Sequence, residues 1–147
     1  MEKIVEFYDK NVETLLDEIK NDLTVPNKLD DLINFNMGIG LIREKYFKAY
    51  AKVLLKEKKL NHKLEVLEAA LTQEYKRNPE VHNGILIQKD EIKNLILINP
   101  KRIELQQELI HVKVLLDIYT KAMDDVRNIS FTVTNQKDLY KLQMSLG

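Results

Sequence analysis

The feature that most constrains this sequence is its scarcity of residues that interrupt helices. The 147 residues include only four glycines and three prolines, while leucine, lysine, glutamate and isoleucine, which helices tolerate or prefer, dominate. Neither glycine nor proline occurs between Leu41 and Arg77, and apolar residues recur there at the period of a helix face. We therefore expect an all-α protein of long helices in a helical-hairpin arrangement, allowing one short β segment.

Prolines and capping residues set the predicted boundaries in the first half of the chain. A first amphipathic helix is predicted over residues 2–23 and ends before Pro26, which cannot continue the hydrogen-bond ladder. Asn27 is the predicted cap of a second helix, which the glycines at 38 and 40 could kink or interrupt. The long pattern that starts at Leu41 ends near Arg77, because Pro79 follows.

The second half of the chain is less regular. Residues 78–89 are predicted to form a loop. The pattern of residues 85–98 is compatible with either a strand or a short helix. Asn99 and Pro100 form a typical helix start, and this helix is expected to reach about Asn128. Residues 129–133 alternate like a short strand, and a final short helix is predicted to end near Leu146.

The length fits one domain overall. Within it we distinguish an acidic N-terminal helical region, residues 1–40, from residues 41–147, a basic long helix followed by a C-terminal helical oligomerisation region. Helices of up to about 50 Å exceed what a compact monomer of this size covers, so we expect a homo-oligomer. The lack of cysteine and of any apolar run near membrane length indicates a cytoplasmic protein without a membrane partner.

The formal net charge of zero conceals a strong segregation of charge. Residues 1–32 carry four lysines against nine acids, whereas residues 43–77 carry eight lysines and two arginines against five glutamates. Such an asymmetry indicates either an anionic partner for the basic segment or pairing between the two segments.

Six lysines of the basic segment fall within roughly 80° of one another on a helical wheel. We call them the lysine row; its members are Lys45, Lys48, Lys52, Lys56, Lys59 and Lys63. The row would be about 27 Å long, and like charges four residues apart repel by a few tenths of a kcal/mol. An anionic partner would relieve that repulsion.

Three interpretations of the lysine row remain open. In the first, it tracks the phosphates of a nucleic acid without sequence specificity, with Lys58, Lys76 and Arg77 as further nucleic-acid-binding candidates. In the second it is a solvated face, and in the third it pairs with the acidic N-terminal helix of the same or a neighbouring subunit. For Tyr46, Phe47 and Tyr50 the wheel favours core packing over base stacking, and Tyr75 is the better stacking candidate.

Signatures of catalysis are absent from the sequence. Gly38-Ile39-Gly40 lacks the lysine and hydroxyl residue of a phosphate-binding loop, and the three histidines have no metal-ligand spacing. No nucleophile–base pair can be named. We therefore expect a non-enzymatic protein without metal or cofactor.

The C-terminal half resembles the UvsY-type recombination mediator family of tailed phages in the order and spacing of several short segments. They are Lys56-Glu57-Lys58, Glu74-Tyr75, Lys89-Asp90-Glu91-Ile92-Lys93, Val114-Leu115-Leu116-Asp117, Ala122-Met123-Asp124, Phe131 and Lys137-Asp138-Leu139. The resemblance covers roughly residues 43–146, and does not extend to residues 1–40.

The resemblance implies a non-enzymatic mediator of DNA recombination and repair that acts in the host cytoplasm if phage-encoded. Family members bind single-stranded DNA, form ring-shaped homo-oligomers (heptamers), and help a RecA-like recombinase replace single-strand-binding protein. This sequence departs from the family at one place. The family's DNA-binding segment has a Lys-x-Arg pair, and the corresponding positions here fall near Ala70 and Thr72. The lysine row, with Lys76 and Arg77, would have to substitute for that pair. A structural helical oligomer or adaptor, its lysine row paired with acidic helices, is the alternative.

Overall fold

The computed structural model describes residues 2–77 and 89–146, with side chains from Lys10 onward. Four α-helices make up this part of the chain: α1 (Glu2–Asp22), α2 (Leu29–Arg77), α3 (Lys89–Leu97) and α4 (Pro100–Leu146). No strand occurs among these residues, so the predicted all-α class is confirmed. Nor does any helix in the described ranges have the length and apolarity needed to cross a membrane.

Helix α2 is longer than the sequence pattern predicts. It begins at Leu29, and the carbonyl of Lys28 accepts the hydrogen bond from the Leu32 amide. The helix start therefore falls one residue after the position that a cap at Asn27 would give. Gly38 and Gly40 do not interrupt the helix, and the neighbouring Leu32 and Ile39 are buried on one of its faces.

Helix α3 resolves part of the ambiguity over residues 85–98, since residues 89–97 are helical. Its Ile92 is buried. The predicted loop over residues 78–89 falls almost wholly outside the described residues, as does the β-prone run at 85–87.

Helix α4 starts where the sequence predicts. The Asn99 side-chain oxygen accepts hydrogen bonds from the amides of Lys101 (3.0 Å) and Arg102 (3.3 Å), which satisfies two amides that otherwise lack a partner at a helix start.

The prediction of a strand at residues 129–133 is wrong, because α4 continues unbroken to Leu146. Val126 and Val133 are both fully buried and seven residues apart, which is two helical turns. The hydroxyls of Thr132 and Thr134 donate to carbonyls four residues earlier. These β-branched residues thus fit the helix despite their intrinsic preference for strands.

The chain divides into two compact units. The first comprises Met1–Lys52 and Leu115–Gly147, and the second Val53–Val114. In the first unit α2 and α4 run antiparallel: the Tyr46 and Tyr119 rings lie 6.3 Å apart, and the Tyr140 hydroxyl donates to the Asn27 carbonyl near the other end.

The core of the first unit is built around Tyr46. This ring, 1% exposed, packs with Ala122 and Val126 of α4, and partly buried hydrophobic side chains pack against the cluster. Among them are Ile19 of α1 and Leu23, the residue that directly follows this helix.

The second unit buries its own set of aliphatic side chains, namely Leu60, Leu71, Ile92, Leu109 and Val112. An ion pair between Arg102 and Glu68, with 2.9 Å from nitrogen to oxygen, joins α4 to α2 within this unit. The boundary at residue 40 between an acidic and a basic region stays a prediction.

Candidate nucleic-acid interface

The lysine row lies on α2, on a face whose centre is about 120° around the helix from that of the buried side chains. Tyr46 and Leu60 are buried, as the predicted packing face requires, whereas all six lysines of the row are exposed. The side chains of Lys58, Lys76 and Arg77 are exposed as well. Lys58 follows Glu57 and precedes Lys59, so it points about 100° away from the row.

In the first unit, Lys45 is the member of the row that forms ion pairs with α1. Its ammonium lies 2.5 Å from Glu18 and 2.7 Å from Asp22. Asp22 also accepts a hydrogen bond of 2.6 Å from the Tyr46 hydroxyl. One end of the row is thus paired with the acidic N-terminal helix.

These contacts shift three pKa values in the direction that strengthens the cluster. The hydrogen bond from Lys45, followed by that from Tyr46, lowers the pKa of Asp22. Hydrogen bonds to Asp22 and Glu18 raise the pKa of Lys45. Burial, and then the hydrogen bond to Asp22, raise the pKa of the Tyr46 hydroxyl. Asp22 is therefore held as a carboxylate, Lys45 as an ammonium and Tyr46 as a phenol.

The rest of the row has no partner on another helix within the described ranges. Lys48 pairs with Glu44 one turn earlier on α2, at 2.8 Å, and this contact lowers the pKa of Glu44. No ion pair occurs at Lys52 with any described residue, nor at the members of the row in the second unit, which are Lys56, Lys59 and Lys63. Four of the six lysines are therefore available to an outside anion.

The aromatic residues near the start of the row differ from their predicted roles. Tyr46 is buried as expected and Tyr50 is half-buried, but Phe47 is 60% exposed. The prediction that Phe47 packs in the core is wrong, because position 47 lies about 100° around the helix from Tyr46. Tyr75, the predicted stacking candidate, is half-buried.

Phe47 lines an open cleft between α2 and α4 in the first unit, with a volume of about 630 Å³. We call it the Phe47 cleft; its lining residues are Gly40, Arg43, Glu44, Phe47, Met123, Asp124 and Arg127. On α2 they follow the three-and-four spacing of one helix face, a signal present in the sequence but hidden by the stronger lysine pattern. No sequence pattern marks Arg43 or Arg127 as binding residues.

No group of three or more metal-binding side chains occurs among residues 2–77 and 89–146. The candidate interface presents exposed cations, an exposed aromatic ring and exposed apolar surface. Such groups bind ligands and other chains.

The fold is that of an all-α protein with two long helices, α2 and α4, and two shorter ones. No protein-family profile matches the sequence, and no curated protein sequence matches it significantly. Similarity appears at the level of three-dimensional structure.

Crystal structures of the bacteriophage T4 recombination mediator protein UvsY share this fold in three lattice types. The type IV structure superposes with a TM-score of 0.74 at 15% identity, covering 89% of this chain and 97% of the UvsY chain. The type II structure has a TM-score of 0.72 at 14% identity, covering 90% of this chain and 96% of the UvsY chain. The type I structure has a TM-score of 0.71 at 13% identity, covering 88% of this chain and 98% of the UvsY chain. The chain therefore has a UvsY-like fold, which agrees with the resemblance noted in its C-terminal half.

Proposed function

We propose that this protein is a non-enzymatic recombination mediator that binds single-stranded DNA and helps to load a RecA-like recombinase in place of single-strand-binding protein. The observation that carries the proposal is the exposed lysine row on α2, four of whose members have no ion pair with a described residue. The fold likeness to a recombination mediator supplies the biological setting, which the lysines alone do not define.

The lysine row suits a phosphate backbone for a physical reason. An ammonium on a flexible stem follows a strand without fixed geometry, and each phosphate that it neutralises releases counterions. Contacts of this kind carry no sequence information. The binding candidates are the lysine row together with Lys58, Lys76 and Arg77.

Self-association would multiply weak contacts from single subunits. A homo-oligomeric ring, heptameric as the family resemblance implies, would present many lysine rows to one strand and raise the overall affinity through effective concentration. In the proposed mechanism the ring organises the strand and shifts the competition from single-strand-binding protein toward assembly of the recombinase filament. No bond is made or broken.

The direct test is fluorescence-anisotropy binding to a labelled unstructured single strand across a salt series, with a duplex as the control. If the four lysines of the row that have no ion pair with a described residue contact phosphates, the logarithm of affinity should fall against the logarithm of salt with a slope of about −3. Tight single-strand binding with such a slope supports the proposal. Failure to bind at low salt would contradict it.

Reversing the charge at Lys52, Lys56 and Lys59 locates the binding surface. These lysines are exposed and have no ion pair with a described residue, so the triple glutamate variant should fold normally. The salt slope should drop in magnitude by about 2, since three phosphate contacts are lost.

The matched control reverses three exposed lysines on other helices, Lys93, Lys113 and Lys121. It changes the net charge by the same amount and should bind more tightly than the row variant. Equal loss of affinity in the two variants would show that overall charge, rather than the lysine row, governs binding.

A specific contact favours the alternative function, a structural helical oligomer or adaptor. Lys45 is already paired with Glu18 and Asp22 of α1, so acidic helices of neighbouring subunits could pair with the rest of the row. This alternative predicts weak DNA binding and an assembly that dissociates with salt. Sedimentation velocity over the same salt series distinguishes it from the mediator proposal.

A further inference from the structure

The Phe47 cleft combines an aromatic ring with two arginine side chains, and none of these residues belongs to the lysine row. Phe47 is 60% exposed, and no ring contact to it occurs among the described residues. Its position lies about 100° around α2 from Lys48, so the ring is not part of the row. An exposed aromatic ring beside cations can stack with a planar ligand such as a base.

Two arginines flank the ring. Arg43 is exposed and has no ion pair with a described residue. Arg127 reaches only Asp124, at 3.7 Å, with both side chains mostly exposed. Guanidinium groups bind phosphate in a bidentate way and also stack on planar rings.

The acidic side chains of the cleft are partly neutralised by cations of their own helices. Glu44 lies 2.8 Å from Lys48, and Asp124 faces Arg127. Their carboxylates can also accept hydrogen bonds from the amino group of a base. An anionic strand that brings a base to Phe47 therefore meets little uncompensated negative charge.

Space for a nucleotide is present. Ligand sites of roughly 300–1,000 Å³ accommodate molecules of drug size, and the cleft holds about 630 Å³. Gly40 leaves its wall open, since a methyl group built there would meet no atom within 4 Å.

We propose that the Phe47 cleft is a nucleobase-stacking site for single-stranded nucleic acid, in which one base stacks on Phe47 while Arg43 and Arg127 hold the adjacent phosphates. The inference rests on the proposed function for the identity of its ligand. It adds a contact that requires an unpaired base, whereas the lysine row requires only phosphate. Such a cleft would favour single strands over duplex.

A second copy of the chain is a less suitable occupant of this cleft. The buried centre of a protein interface is depleted of charged residues, yet four of the seven lining residues are charged. Sites for single-stranded nucleic acid, in contrast, combine aromatic rings with cations.

The test uses the absence of tryptophan from the chain. Phe47→Trp places one fluorophore in the cleft, and Phe131→Trp places one at another exposed position, on α4. Each full-length variant is titrated with a thymidine oligonucleotide of about 20 nucleotides. The fluorescence of the Phe47→Trp variant should be strongly quenched at saturation, and that of the Phe131→Trp variant should change little.

Affinity provides the second readout. Phe47→Ala should weaken binding to the thymidine oligonucleotide by roughly 5- to 150-fold, the range that base–aromatic stacking gives, whereas Phe131→Ala should leave it unchanged. An abasic strand of equal length should bind the wild-type protein and the Phe47→Ala variant equally, since no base is present to stack.

The outcomes separate this inference from the proposed function. If the wild-type protein binds the oligonucleotide and the lysine-row variant does not, but Phe47→Ala binds normally and the tryptophan is not quenched, the stacking site is refuted and the proposed function stands. If Phe47→Ala changes the sedimentation coefficient but not DNA affinity, a second copy covers the ring and the inference fails. If the wild-type protein binds no single strand, the proposed function is refuted, and the stacking site that rests on it is refuted as well.

Discussion

Asp22 connects α1 to the rest of the first unit through two hydrogen bonds of different kinds. One comes from the exposed ammonium of Lys45 and the other from the hydroxyl of Tyr46, whose ring is buried against α4. The phenol would have to be buried without a partner if Asp22 were lost, which costs more than an exposed ion pair contributes. The contact to Tyr46 is therefore the more important of the two for stability.

At this residue we predict that Asp22→Asn lowers the free energy of unfolding by about 1–2 kcal/mol, because a hydrogen bond to a charged group becomes a neutral one. Urea denaturation followed by circular dichroism measures the change. Asp17→Asn, at an exposed position of the same helix, serves as the control and should stay within about 0.5 kcal/mol of wild type. Equal effects of both substitutions would contradict the assigned role of Asp22.

The same carboxylate predicts a pH dependence. Its pKa in the folded protein lies below the ordinary value of 3.8, so the folded state binds this proton less readily than the unfolded chain does. The contribution of Asp22 is full above pH 3.8 and is lost as pH falls through the lower pKa of the folded state. The difference in unfolding free energy between wild type and Asp22→Asn should therefore shrink on acidification below pH 3.8. A constant difference would show that Asp22 does not titrate differently in the two states.

At the scale of elements, α2 continues through Gly38 and Gly40, and no neighbouring atom excludes a side chain at either position. A methyl group at Gly38 would meet nothing within 4 Å, and glycine inside a helix costs roughly 0.5–1 kcal/mol relative to alanine. We expect Gly38→Ala to raise the free energy of unfolding by about that amount, measured by urea denaturation.

The matched control for Gly38→Ala is Ala51→Gly, at an exposed position of the same helix, which should lower the free energy of unfolding by a similar amount. A destabilised Gly38→Ala variant would mean that the first turns of α2 need a conformation that alanine disfavours. It would also restore the sequence-based interpretation of Gly38 and Gly40 as an interruption.

The helices could be predicted from the sequence where one periodic signal dominates. The Asn99 cap and the ends of α1 and α2 follow from short local patterns, and the structure has them within a residue or so. The helical end near Leu146 was predicted, but the continuity of α4 through residues 129–133 was not, because Ile129, Phe131 and Val133 alternate like a strand. The burial of Val126 and Val133, two turns apart, indicates that packing within the first unit favours a helix here.

The candidate site was predictable to a similar extent. Exposure of the lysine row follows from its position outside the apolar face of α2, about 120° around the helix from it, and the structure has all six lysines exposed. Pairing of Lys45 with Glu18 and Asp22 depends on how α1 packs, which no local pattern encodes. The Phe47 cleft is formed by two helix segments about 80 residues apart in the chain, so neither segment indicates it alone.

For the whole molecule, the exposed apolar side chains favour self-association. Near the end of α4 they include Leu139, Leu142, Met144 and Leu146, and exposed apolar groups that cluster in this way are typical of protein interfaces. We expect the triple variant Leu139→Gln, Leu142→Gln, Leu146→Gln to sediment as a smaller species than wild type. Glutamine preserves helix propensity, so circular dichroism should remain unchanged.

The control for assembly substitutes glutamine at three exposed polar positions of the same helix, Thr132, Thr134 and Asn135. This variant should sediment like wild type. If both variants retain the wild-type sedimentation coefficient, the end of α4 is not the interface, and the exposed side chains of α2 such as Met37 and Leu41 become the next to test.

Helix α2 is one unbroken helix of 49 residues, so each inserted residue rotates the side chains beyond it by about 100° around the helix axis. This restricts the lengths that the helix can adopt. Two residues inserted between Leu41 and Arg77 would rotate everything beyond them by about 200° and turn the following lysines toward the core. Seven residues would rotate them by only about 20° and lengthen the row by roughly 10 Å. Related chains should therefore differ in length here by whole heptads, and each added heptad would extend the surface that α2 offers to the proposed strand.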